Sequence, residues 1–174
     1  HSACDIDKDI VKNELNNLKD RWDKLNNDLI ARTQALEDQS RKLSDFNENL
    51  RELLHGLERC EDKLASHDAL GGVARDPKLL DRVKSLRDEV AQLKRPHQTV
   101  RQQATDLVRE AAENSIDANH LEDEVDGLGD RINELHAKLD DRCSDLQSAA
   151  TAVMQFNDQV KALTNDLSGL ETEL

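Results

Sequence analysis

Three acidic residues near the start of the chain have the alternating spacing with which a calcium-binding loop begins: Asp5, Asp7 and Asp9. Such a loop also needs a glycine at its sixth position, for a sharp turn, and a glutamate at its twelfth, as a bidentate ligand. Ile10 and Asn16 occupy those positions. The acidic residues are therefore assigned to helix capping and solvation, and no metal site is predicted.

The three cysteines, Cys4, Cys60 and Cys143, are odd in number, far apart and without CxxC spacing. This pattern argues against a disulfide framework or a zinc site, and it predicts free thiols in a reducing cytosol. Cys60 falls on an apolar helical stripe and is expected to be a small buried hydrophobe, whereas Cys143 is expected beside the seam.

His97 lies on an apolar stripe without a Cys, His or carboxylate partner at helical spacing, so a hydrogen-bonded core histidine is expected. The other histidines form no HExxH-type set, and no Ser-His-Asp signature, phosphate loop or Rossmann glycine pattern occurs. The sequence therefore predicts no catalytic, cofactor-binding or metal-binding residues, and a protein that is not an enzyme.

Composition points to long helices. Charged residues make up 35% of the 174 residues and aromatic residues 2%, and the net charge is −13. Such an acidic chain repels phosphate backbones and anionic lipid surfaces, so neither nucleic acid nor membrane is an expected partner. Because the chain does not start with Met, we expect a piece of a longer protein, with His1-Ser2 as a cloning remnant.

The apolar residues of the first third of the chain are spaced four, then three residues apart, with interruptions only at Arg32 and Gln39. This is the heptad of helices that pack along one seam. The apolar residues are Val11, Leu15, Leu18, Trp22, Leu25, Leu29, Leu36, Leu43, Phe46, Leu50, Leu53, Leu57, Cys60 and Leu64. They predict one helix from about Asp7 to about His67, with Trp22 and Phe46 as core anchors.

Two further helices follow. The Gly71-Gly72 pair predicts a loop, and Asp76-Pro77 can cap and begin a second helix. Pro96 lies inside this helix, and because the apolar spacing continues across it, we expect a kink near residues 94–97 and not a break.

Asn114-Ser115 predict a short turn, after which Asp117 is the expected N-cap of the third helix. The apolar stripe of that helix has the same spacing and continues to the C-terminus. It consists of Leu121, Val125, Leu128, Ile132, Leu135, Leu139, Leu146, Val153, Phe156, Val160, Leu163, Leu167, Leu170 and Leu174.

A shift of 110 positions aligns the first and third helices without a gap. The matched pairs are Ile6-Asp7 with Ile116-Asp117, Asp20-Arg21 with Asp130-Arg131, Phe46-Asn47 with Phe156-Asn157, and Leu57 and Glu61 with Leu167 and Glu171. Unrelated heptads would share leucines but not the cap or the Asp-Arg and Phe-Asn pairs. The chain therefore contains a helical repeat, which is typical of extended arrays.

The Leu18-x-x-Arg21-Trp22-x-x-Leu25 pattern resembles the third helix of a spectrin repeat, whose buried tryptophan is a mark of that family. The region from Phe46 to Glu61 resembles the first helix. That helix usually carries a second tryptophan, where this chain has Gly56-Leu57, so a divergent branch is indicated.

Residues 20–29 and 140–149 are similar to the rods of plakins and spectraplakins. The resemblance implies an all-α fold, a spectrin-like antiparallel three-helix bundle with long continuous helices shared between successive repeats. It makes residues 7–39 the last helix of a preceding repeat and 151–174 the first helix of a following one. Residues 40–150 form the complete repeat, with helices at about 40–68, 77–113 and 117–150.

The resemblance implies a non-catalytic spacer and protein-interaction rod segment of an actin–microtubule cross-linker in the cytoplasm, within the cytoskeleton. Partners would be other proteins on its helical surfaces, with cytoskeletal filaments bound by other domains of the parent. A homodimeric coiled-coil scaffold is the alternative. An apolipoprotein-like lipid binder is disfavoured, because these stripes are narrow and acid-flanked. The incomplete repeats would leave apolar stripes uncovered, so the isolated fragment is expected to self-associate.

Overall fold

The computed structural model describes residues 2–69 and 77–173 of the chain. In these residues all regular structure is helical, in the order α1 (Ser2–Ala69), α2 (Pro77–Gln92), α3 (Lys94–Glu113) and α4 (Asn119–Glu173). The predicted all-α class is confirmed. The predicted loop at Gly71-Gly72 and the cap at Asp76 lie outside the described residues.

The chain divides into two compact units, His1–Asp45 and Phe46–Leu174. The described part of the first unit is entirely helical, and its side chains are exposed apart from a half-buried Asn26. The second unit contains the remainder of α1 together with α2, α3 and α4. The repeat boundaries at residues 39/40 and 150/151 stay predictions.

The core lies in the second unit and is built from the apolar stripes of three helical segments. Its buried members are Phe46, Leu53, Leu57, Cys60 and Leu64 from α1, Val83, Leu86, Val90, Val100 and Ala104 from α2 and α3, and Val125, Leu128, Ile132, Leu135, Leu139 and Cys143 from α4. No polar or charged residue within the described ranges is fully buried. Apolar burial is therefore the main stabilising force of this unit.

The helices of the second unit run in alternating directions, as their cross-helix bonds show. The Asn49 side-chain amide donates to Gln103 at 3.1 Å, and Lys63 donates to Glu89 at 2.8 Å. As the residue number in α1 rises from 49 to 63, the residue number of the bonded partner falls from 103 to 89, so α1 is antiparallel to α2 and α3.

The contacts of α4 complete the arrangement. His97 and Arg87 bond to Val125 and Asp140, again in reversed order, so α4 is antiparallel to α2 and α3. It is consequently parallel to α1. This second unit is an up-down-up helical bundle in which α2 and α3 together form the middle segment.

The middle segment is interrupted for one residue, where the sequence predicted an unbroken 77–113 helix with a kink at residues 94–97. Helix α2 ends at Gln92, and α3 begins at Lys94. Pro96 has no N–H to offer the carbonyl of Gln92, and its ring crowds that carbonyl, so the disturbance appears one turn before the proline. Leu93 keeps an α conformation and donates instead to Val90 at 3.0 Å.

The turn between α3 and α4 closes with a left-handed residue, Ser115, whose φ is 58°. Its N–H donates to Ala112 at 3.0 Å, and the next N–H, of Ile116, reaches back to Ala111 at 2.8 Å. These are the two bonds of a Schellman cap, in which glycine is the usual left-handed residue. The predicted turn at Asn114-Ser115 is therefore confirmed.

Helix α4 begins at Asn119, two residues later than the 117 start that was predicted. The Asp117 carboxylate accepts a hydrogen bond from the Asn119 N–H at 3.0 Å. Asp117 therefore caps the N–H of the first residue of α4, from one position before Ala118, which directly precedes the helix.

The 110-position correspondence supplies a matched pair for testing the core. Leu57 is fully buried, whereas its counterpart Leu167 is 55% exposed. We expect Leu57→Ala to lower the free energy of unfolding by about 2–5 kcal/mol, as removal of a buried leucine side chain does. Leu167→Ala should change it by less than about 0.5 kcal/mol. Denaturant titration of dilute protein, followed by circular dichroism, measures both, and equal losses would contradict the burial of Leu57 in a core that excludes Leu167.

Candidate interaction surfaces

Asp5, Asp7 and Asp9 lie within α1, in helical and not loop conformation. No cluster of three or more potential metal ligands occurs in residues 2–69 or 77–173. None of the described helices carries an apolar run long enough to cross a membrane.

The cysteines are free, with Cys4 exposed and the other two buried. Burial raises the pKa of the Cys60 thiol, and the nearby Glu89 carboxylate raises it further. Burial also raises the pKa of Cys143, which is in the core and not beside the seam as expected. Thiols with raised pKa values stay protonated at neutral pH and are poor nucleophiles, so neither of these two is suited to covalent catalysis.

His97 is half-buried, and its Nε2 lies 2.9 Å from the carbonyl oxygen of Val125. A carbonyl oxygen can only accept, so Nε2 carries the hydrogen and donates it. This is the hydrogen-bonded role predicted for His97. The bond ties the start of α3 to α4 immediately after the interruption at Leu93.

Two glycines within helices lie against the stretch around the interruption at Leu93. A Cβ at Gly129 would lie 2.7 Å from His97 Nε2 and 2.8 Å from its Cε1, and a Cβ at Gly56 would lie 3.1 Å from a methyl carbon of Leu93. The missing Cβ atoms allow α3 to approach α4, and the junction residue Leu93 to approach α1, more closely than alanines would. Leu93 therefore occupies the space that a side chain at position 56 would need.

An open groove of about 1000 Å³ lies beside this contact, between α1 and the junction of α2 and α3. Gly56, Leu93 and Pro96 contribute its apolar part, and charged residues including Arg59 and Arg95 surround it.

A bidentate ion pair joins α1 to α4. Arg131 donates from Nε to Glu61 Oε1 at 3.2 Å and from Nη2 to Glu61 Oε2 at 2.8 Å. The hydrogen bond to Glu61 raises the pKa of the Arg131 guanidinium. The two side chains are 41% and 37% exposed, so solvent screening limits the pair to about 1 kcal/mol or less. Its planar geometry matters more for the register of α1 against α4.

A second ion pair continues the same interface further along both helices. Arg142 and Asp68 approach to 2.9 Å. From the first ion pair to the second, the residue number rises in both helices, from 61 to 68 in α1 and from 131 to 142 in α4, so these two helices are parallel.

Two exposed apolar stripes remain. The leading stripe lies on the first unit and consists of Val11, Leu15, Leu18, Trp22, Leu25 and Leu29. The trailing stripe lies on the last part of α4 and consists of Phe156, Val160, Leu163, Leu167 and Leu170. Of the two predicted core anchors, Phe46 is fully buried, whereas Trp22 is 63% exposed in this chain. The prediction for Trp22 is therefore wrong for the chain by itself.

The described residues form an all-α helical bundle with two exposed apolar stripes. No family model matches the chain, and no solved structure matches it. The chain is 24% identical to microtubule-actin cross-linking factor 1, isoforms 6/7, of Homo sapiens, and 25% identical to microtubule-actin cross-linking factor 1 of Rattus norvegicus. In each case the match covers 98% of this chain. It spans only 5% of the human relative and 3% of the rat relative.

The resemblance to spectraplakins that the residues predicted is confirmed by these relatives. A structural role fits the similarity to cytoskeletal cross-linkers.

The close approach at His97 can be tested with two neighbouring glycines. Nothing lies within 4 Å of a Cβ at Gly127, whereas a Cβ at Gly129 would overlap the His97 ring. We expect Gly129→Ala to lower the free energy of unfolding by about 1–2 kcal/mol through overpacking. Gly127→Ala should raise it by about 0.5–1 kcal/mol through helix propensity. Stabilisation by both substitutions in thermal or denaturant unfolding would show that α3 does not approach α4 in this way.

Proposed function

We propose that the chain is a non-catalytic spacer and interaction segment of a cytoskeletal cross-linker, and that it acts as part of a rod of spectrin-type repeats. The observation that carries the proposal is the extent of α1 and α4 beyond the core. Buried residues of α1 begin only at Phe46, and those of α4 end at Cys143. The helices themselves extend to Ser2 and Glu173.

Continuous helices give a physical basis for a spacer. Where one helix belongs to two successive bundles, the backbone hydrogen bonds run through the junction, and bending there requires deformation of a helix and not of a loop. Neighbouring units then stabilise one another, as in other repeat arrays. In this proposal residues 7–39, 40–150 and 151–174 belong to three successive repeats.

Similarity to microtubule-actin cross-linking factor 1 supports a cytoskeletal setting in the cytoplasm. The name of these relatives describes the linking of two filament types. For this chain we propose that other domains of the parent bind filaments. Its own helical faces, including the groove beside Pro96, would bind proteins.

A homodimeric coiled-coil scaffold is the second candidate. The exposed heptad spacing of the leading stripe favours it. The same heptads are nevertheless buried from Phe46 to Leu64 against α2, α3 and α4 of their own chain. A dimer along the whole of α1 would have to displace those contacts, so the spacer is favoured.

A tandem chain tests the spacer. Residues 1–150 followed by residues 41–174 duplicate one 110-residue period while keeping the helices in phase. The third helix of a unit, about 32 residues long at roughly 1.5 Å per residue, predicts that the added unit lengthens the particle by about 50 Å. Solution scattering coupled to light scattering, at dilutions where both chains are monomeric, measures the gain.

An increase below about 20 Å would contradict the spacer, because stacked units of this helix length must extend the particle. A mass of two chains at every dilution would support the coiled-coil scaffold instead.

A further inference from the structure

The two exposed stripes are related through the 110-position correspondence. Within the second unit, the part of α1 from Phe46 onward packs in parallel against the first part of α4, with Arg131 and Glu61 bonded across the seam. The trailing stripe corresponds to that part of α1, and the leading stripe corresponds to that part of α4. The chain thus carries both halves of its own interface a second time, each exposed.

The charged residues of the interface are repeated as well. Arg131 corresponds to Arg21, and Glu61 corresponds to Glu171. Arg21 and Glu171 are both helical and exposed, and within residues 2–69 and 77–173 neither has an ion-pair partner. A trailing helix laid beside a leading helix in the register of the second unit would bring this arginine and this glutamate together.

We infer that the leading stripe of one chain is a docking site for the trailing stripe of a second copy, in parallel register, with Arg21 paired to Glu171 of the neighbouring copy. The apolar positions fit this register. Ile132 and Leu135, which line the internal seam, correspond to Trp22 and Leu25, while Leu53 and Leu57 correspond to Leu163 and Leu167. Every one of these positions is apolar in both copies of the interface.

The size of this contact sets the expected affinity. About ten apolar side chains at roughly 100 Å² each give an interface on the order of 1,000 Å², which is near the lower limit for specific association. The middle helix of a bundle would be missing from such a junction, so the contact is weak and depends on concentration. Each product still exposes one leading and one trailing stripe, and this head-to-tail contact therefore continues into open chains.

Charge reversal of the repeated pair tests the register. In Arg21→Glu, the new glutamate faces Glu171 of the neighbour, and in Glu171→Arg, the new arginine faces Arg21. Each variant alone should associate about three- to tenfold more weakly than the original chain, as loss of a partly exposed ion pair and its replacement by like charges imply. In an equimolar mixture the contact that joins the two substituted positions pairs opposite charges again, so association should return.

Matched controls carry the same kind of charge change a few residues away. Lys19 corresponds to Gly129, and Asp166 corresponds to Gly56. These glycines face His97 and Leu93 of the middle segment and not the α1–α4 seam. Lys19→Glu and Asp166→Lys should therefore leave association unchanged within about twofold, because they alter net charge without entering the proposed contact.

Sedimentation of the full chain from about 5 to about 500 µM, a range suited to micromolar affinity, gives the readout. We expect the average mass of the original chain to rise with concentration beyond that of two chains. At the same concentration the average mass should be lower in each single variant, and in the equimolar mixture it should return to that of the original chain. Circular dichroism confirms that these surface variants remain folded. A monomer throughout the range would overturn the proposal, and so would association that is indifferent to the charges of Arg21 and Glu171. A mixture that does not recover would overturn the register.

Discussion

The rest of this structure depends on the burial of apolar stripes, whose residues recur on average every 3.5 positions, between parallel and antiparallel neighbouring helices. With 35% charged and 2% aromatic residues, the chain has few large side chains with which to build a core. Leucine and valine at heptad positions provide one only where three helical segments meet, as they do from Phe46 to Cys143. Elsewhere the stripes of α1 and α4 have the same spacing but are exposed, and this difference generates both the spacer and the self-association proposals.

A second layer of specificity comes from the middle helix. Pro96 removes one backbone bond beside Leu93 and His97, and Gly56 and Gly129 provide the space that these two side chains occupy. The His97 bond to the Val125 carbonyl then fixes the depth of the approach. These residues act together. A proline alone would leave a strained middle segment, and each glycine alone would destabilise the helix that contains it by about 1 kcal/mol. The repeat has Asp166 and Lys19 at the glycine positions, so this packing is particular to the second unit.

The sequence predicted the helices, the turn at Asn114-Ser115 and most of the core, because heptad spacing, caps and breakers are local signals. It predicted Phe46, Cys60 and His97 in their observed roles. It predicted a kink at residues 94–97 in an unbroken helix and not the interruption at Leu93, because the apolar spacing continues across the lost bond at Gln92. It missed the contacts of Gly56 and Gly129 entirely, since a glycine in a helix reports neither its neighbour nor its distance. Local signals could not predict that Trp22 is exposed, because its burial depends on helices that this chain does not place around it.

Helix α1 owes its stability to the bundle and not to its own helical propensity, so this one continuous helix should be stable in one part and labile in the other. Hydrogen exchange along α1, measured on dilute monomeric protein, tests this dependence most directly. We predict that amides between Leu53 and Leu64 exchange at least about 100-fold more slowly than those between Val11 and Leu36, because only the former lie in a packed unit. Equal protection along the whole helix would contradict this dependence on the bundle.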